Sequence, residues 1–115
     1  MAGVNMSFGK MNTYINFFQK LEGTDEEGFK SETEVWLKSI RAYREGRHAS
    51  ARWANRATFT DATDLFRFRA VPDFRPTTDM FIEYKGERFE ITSIEDVKGR
   101  GMYIEILARE VKPSG

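Results

Sequence analysis

The sequence contains no cysteine, one histidine, three prolines and, counting every ionisable side chain, no net charge. The missing thiols exclude a disulfide scaffold and any thiolate metal site. A Cys-His nucleophile pair is excluded with them. A Ser-His-Asp arrangement would have to use His48, in a stretch of arginines that disfavours an imidazolium. No Gly-x-Ser-x-Gly elbow is present. Eighteen basic and 18 acidic residues give no cationic excess of the kind that marks a general nucleic-acid binder or a polybasic membrane-surface protein. No apolar run approaches the roughly 18 residues of a membrane span. The start, Met1 to Met6, lacks the basic and apolar regions of a signal peptide. The default expectation is therefore a soluble cytoplasmic protein.

What is present is an aromatic-rich chain: 14% aromatic and 40% hydrophobic over 115 residues. That excludes a disordered tail and suits one domain, 1–115, with its core in about 10–111 and loose ends. A compact fold of this length has a radius of gyration of roughly 13 Å.

The dominant hydrophobic period is 2, the signature of half-buried strands. Thr13 to Phe18 reads as a first strand, with Ile15 and Phe17 on one face. Residues 22–34 read as a polar, acidic break containing Gly23 and Gly28. Val35 to Tyr43 reads as a longer second strand. Phe66 and Phe68 alternate with Arg67 and Arg69, which predicts a third strand with a basic outer face. Pro72 and Pro76 mark the loop that follows, because proline lacks the ladder donor. Lys85-Gly86 sits between two β-like runs as a two-residue hairpin turn. It would pair Tyr84 with Glu87, Ile82 with Phe89 and Met80 with Ile91, placing both apolar pairs on one face. Asp96 to Gly101 is the next turn, and Met102, Ile104, Ile106 and Ala108 would line one face of a last strand. Phe81 and Tyr103 fall on the opposite face, which leaves a second covering layer and a subunit interface both open. About six strands joined by short turns predict a small antiparallel barrel or sandwich.

One stretch resists this reading. From Arg44 to Thr60, Ala49, Trp53 and Ala57 recur at i, i+4 and i+8, one face of a short helix. Such a long connection between strands is usually functional or disordered. Arg44, Arg47, Arg52 and Arg56 around Trp53 form a candidate partner-binding arm: guanidinium forks for acidic groups and an aromatic anchor. The bland alternative is a solvated loop. The run Thr24 to Glu27 lacks the spacing of a calcium loop, and Gly99-Arg100-Gly101 lacks the Gly-Lys-Ser/Thr of a phosphate loop. No metal or cofactor is expected.

The zero charge is also two opposed patches. Residues 22–34 hold six acids and one lysine, a local −5; residues 41–69 hold seven arginines and three acids, a local +4. One patch of each sign suits head-to-tail packing of copies into a ring.

Taken in order, Thr78-Asp79-Met80-x-Ile82-x-Tyr84-x-Gly86-x-x-Phe89-x-Ile91-x-x-Ile94 and then Arg100-x-x-Tyr103-x-Glu105-Ile106-Leu107-Ala108-x-Glu110 resemble the head–tail joining (head-completion or stopper) family of long-tailed phages and prophages. Asn16-Phe17, Val35-Trp36 with Ile40-Arg41-Ala42, and Leu65 to Arg69 agree with its earlier strands. The resemblance spans about residues 10–111 and departs where the family's usual proline after the second strand is replaced by Ala42-Tyr43. It implies an all-β barrel of about six strands, with a long loop and short helix between strands 2 and 3. It implies a non-enzymatic virion protein of the neck, made in the bacterial cytoplasm. Its implied partners are portal and adaptor ring proteins, a tail-completion protein, further copies in a ring and nearby packaged DNA. No membrane or small-molecule substrate is implied. The competing reading is an OB-like nucleic-acid-binding barrel using basic strand and loop residues with Trp53 as a stacking platform; salt-dependent affinity for single-stranded DNA would favour it, and buried Phe66 and Phe68 would count against it. A small enzyme is the least favoured reading.

Overall fold

Six antiparallel strands close on themselves in the order β1-β2-β3-β6-β5-β4. They are β1 (Thr13–Thr24), β2 (Lys30–Gly46), β3 (Asp64–Arg69), β4 (Met80–Tyr84), β5 (Glu87–Asp96) and β6 (Tyr103–Val111), and a 3₁₀ turn at Val97–Gly99 leads into β6. The computed structural model describes residues 11, 13–24, 26–46 and 61–112. The predicted short helix, with Arg47, Arg52, Trp53 and Arg56, lies outside the described residues.

The barrel interior is a packed core, as expected where alternate residues of every strand point inward. Ile15, Phe17, Ile40, Ala42, Phe66, Phe68, Ile82, Phe89, Ile91, Ile106 and Ala108 form one buried cluster. The rings meet edge to face: Phe17 with Phe68 at 5.7 Å and Phe66 with Phe89 at 5.2 Å, the arrangement their quadrupoles favour. Phe74, on the loop after β3, packs 5.0 Å from Phe17 and helps to close the barrel floor. Burying each such side chain contributes about 1.5–3 kcal/mol.

The hairpin forecast holds. Tyr84 pairs with Glu87 and Ile82 with Phe89; the expected Met80–Ile91 pair lies one step beyond the ladder's last rung. Lys85 and Gly86 have φ of 51° and 82°, both left-handed. A two-residue turn whose twist matches the strands needs this conformation, and glycine adopts it without a Cβ penalty. The Asp96–Gly101 turn is held by the Asp96 carboxylate, which accepts the Gly101 N–H at 2.9 and 3.0 Å.

Four expectations are corrected. Residues 22–34 are not a break: β1 runs to Thr24 and β2 starts at Lys30, paired rung by rung from Thr24↔Lys30 to Phe18↔Trp36. Backbone pairing needs no apolar face, so alternation fades while the ladder continues. This ribbon makes the molecule elongated, 62 Å by 33 Å by 24 Å, with a radius of gyration of 15.8 Å instead of the compact value. The outer face of β3 is not basic at Arg67, which is 2% exposed. Met102 is exposed and precedes β6, so the last inward stripe begins at Ile104. The lack of a proline at Ala42-Tyr43 has a consequence: β2 continues, Ala42 is buried, and Tyr43 to Gly46 pair with β3.

Candidate assembly surfaces

Arg44 roots the long connection. It sits near the end of β2, with Nη2 2.7 Å from Asp64 Oδ2 and its guanidinium 5.2 Å above the Tyr84 ring. One residue of the predicted contact set is thus placed, and its charge is partly spent inside the chain.

Beside it, the outer wall of β3 and β6 carries a second small core: Ala62, Leu65 and Leu107, with Tyr43 against them. Arg67 lies directly opposite Glu105 in the β3–β6 ladder. Arg67 Nε and Nη2 donate to Glu105 Oε2 at 2.9 and 2.5 Å, with Glu105 3% exposed, and the guanidinium lies 5.7 Å from the Tyr43 ring. Burial of two opposite charges is tolerated because each is the other's counterion. A rule that places charges outside cannot find this pair; the register of β3 on β6 could.

The opposite wall carries aromatics. Phe18 pairs with Trp36 across β1–β2 and with Phe81 across β1–β4, stacking on Phe81 at 5.4 Å and 13°. Arg88 reaches over Phe81, 4.5 Å from its centroid, to an ion pair with Glu34. Phe81 is therefore covered from within the chain. Tyr103 has Arg69 6.0 Å above it. Trp36 remains 55% exposed, its indole N–H donating to Ser39 Oγ at 3.2 Å; Ser39 in turn bonds Asn16, whose amide donates to Glu83 at 2.9 Å. Sequence alternation missed this outward Trp because a bulge between Phe17 and Phe18 leaves Leu37 without an opposite residue, which switches the facing of β2.

The ladders that close the barrel are short along two seams. β2 pairs with β3 only from Tyr43 to Gly46, and β1 pairs with β4 only from Asn16 to Gln19. Where β2 and β3 splay, a cleft of about 300 Å³ opens, lined by Met11, Lys38, Ser39, Ile40, Arg41, Arg69 and Val71. Lys38 donates to Asp73 at 3.1 Å and holds that carboxyl below its usual range, chiefly through the hydrogen bond. Arg41 donates to the Tyr14 hydroxyl at 2.9 Å. Neither Arg41 nor Arg69 has a carboxylate partner among the described residues. On the far wall Glu90, and more weakly Asp61, raise the pKa of Arg109.

Among the described residues no group of three or more His, Cys, Asp or Glu could hold a metal ion. No helix there is long and apolar enough to cross a membrane. Fold and surface define a closed, side-chain-filled β-barrel whose charged groups and outward-facing aromatics are spread over its outer walls and edges.

The chain belongs to the phage head completion protein family, whose model matches residues 6–111, and it is a structural component of the virion. Its fold is similar to a chain in a solved structure described as the virion of a native gene transfer agent (GTA) particle, with TM-score 0.61 and 18% identity over 89% of this chain and 96% of that one. No curated protein matches the sequence.

Proposed function

We propose that this protein joins head to tail. In the particle it closes the DNA-filled head below the portal and adaptor rings and offers its other side to a tail-completion protein. Copies associate there into a ring close to the packaged DNA. The work is binding, without catalysis or cofactor. The observation that carries this reading is membership of the head completion family over nearly the whole chain.

The contact set is Arg44, Arg47, Arg52, Trp53 and Arg56. Arg44, tied to Asp64 and Tyr84, fixes the root of the segment. The outward contacts fall to the other four, with arginine forks on acidic groups and Trp53 as anchor. Replacing Arg52 and Arg56 together by Glu is expected to yield heads that lose DNA and a sharp fall in infectious titre. Infectious, DNA-retaining particles from that double variant would overturn the contact set.

The nucleic-acid-binding alternative loses its support on β3: Phe66 and Phe68 are 0% and 1% exposed, inside the barrel, where no base can stack on them.

A further inference from the structure

Among the described residues, the β1–β2 ribbon beyond Gln19 and Val35 has no core beneath it. Residues 20–24 and 26–34 are exposed, including Leu21 at 51% and Phe29 at 66%. A two-stranded ribbon is marginal in water without further packing, and its outer edges have no strand partner in this stretch among the described residues. An edge of that kind is ordinarily covered or used. The tip is acidic, with Glu22, Glu26, Glu27 and Glu32 all exposed.

The cleft at the β2–β3 seam is its complement. Ile40, Val71 and Met11 supply apolar lining, while Lys38, Arg41 and Arg69 supply the charge. An apolar cleft with a cationic rim fits an extended acidic segment that presents one large apolar side chain. The ribbon tip, with Phe29 among its acids, is such a segment.

Tip and cleft cannot meet within one chain. Phe29, just before β2, and Ile40 within it are eleven positions apart, about 35 Å of extended chain, and the paired ribbon cannot fold back across that span. We infer that the ribbon tip of one copy seats in the β2–β3 cleft of the next, Phe29 entering between Ile40 and Val71 and the tip carboxylates facing Arg41 and Arg69. The contact is heterologous, the kind that closes rings. It rests on the ring reading above and names the two surfaces that make the ring.

The natural chain has no cysteine, so engineered thiols report cleanly. Particles are assembled with Phe29→Cys plus Val71→Cys, and separately with Phe29→Cys plus the exposed acceptor Arg41→Cys, then oxidised mildly. The expected result is a ladder of cross-linked copies from at least one double variant and none from any single variant. Arg69→Glu in the same background should abolish the ladder, and Glu26→Lys with Glu32→Lys should restore it. Particles that contain the protein but give no ladder with either acceptor would overturn the inference and leave head–tail joining intact. Dimers from Phe29→Cys alone, or a link from the tip to a different protein, would overturn it too. Absence of the chain from particles would defeat the head–tail reading itself.

Discussion

Replacing Arg67 by Met lowers stability by about 3–5 kcal/mol, because it leaves the Glu105 carboxylate buried without its counterion. For a domain near 100 residues, each kcal/mol moves Tm by roughly 4–8 °C, so a fall of more than about 12 °C is expected in a thermal melt. The side chains are 2% and 3% exposed, so solvent cannot screen the loss as it does for the exposed Lys38–Asp73 pair. The companion Arg67→Met/Glu105→Leu variant is expected to recover most of the stability, since apolar groups of similar volume suit a buried site that already contains Leu65 and Leu107. The double variant separates a cost of orphaning a charge from a cost of losing this contact. A single variant within about 1 kcal/mol of the parent would show that Glu105 is neutralised or solvated after Arg67 is gone.

Phe17→Ala is the second large effect. Phe17 is completely buried, pairs with Phe68 and Phe74, and faces Ile82 across β1–β4. Removing its ring costs about 3–5 kcal/mol, as transfer energy plus the cavity left in a closed barrel that relaxes little. Against a total stability of about 5–15 kcal/mol, that is a large share. The loss also reaches the loop bearing Phe74, so backbone amides around Val71–Phe74 should exchange faster with solvent than those of the β4–β5 hairpin. Equal protection of both regions in the variant would mean that Phe74 is held by something other than Phe17.

The legible and illegible parts of this fold divide along one physical line. Where a strand has one buried face, the sequence announces it: Phe66 and Phe68, Ile82 against Phe89, and Ile106 with Ala108 were all readable from alternation. Where pairing continues without burial, as in the ribbon between Lys20 and Glu34, alternation carries no signal and the stretch reads as a loop. The bulge at Leu37 inverts facing midway along β2, so Trp36 turns outward inside a run that looks uniformly apolar. Arg67 was misread for a different reason. Its environment is set by Glu105, 38 residues away, and by an outer wall with its own small core. Of the contact set, Arg44 alone could be placed, and the ion pair with Asp64 that restrains it joins two strands no local pattern relates.

The charge pattern also changes meaning with the strands in place. Within residues 41–69, Arg44 and Arg67 are matched by Asp64 and Glu105. What remains cationic among the described residues there is Arg41 and Arg69, both on the cleft. The described acids of residues 22–34, Glu22, Glu26, Glu27, Glu32 and Glu34, lie at or near the start of β2. Opposite charges separated along the paired β1–β2 ladder favour contacts between copies over contacts within one.

The central claim is that this protein joins head to tail, and deletion of its gene tests it most directly. Electron microscopy of the resulting lysate should show DNA-depleted heads beside free, fully formed tails, with tailed particles restored by supplying the protein in trans. Tailed, DNA-filled, infectious particles without the protein would contradict the account.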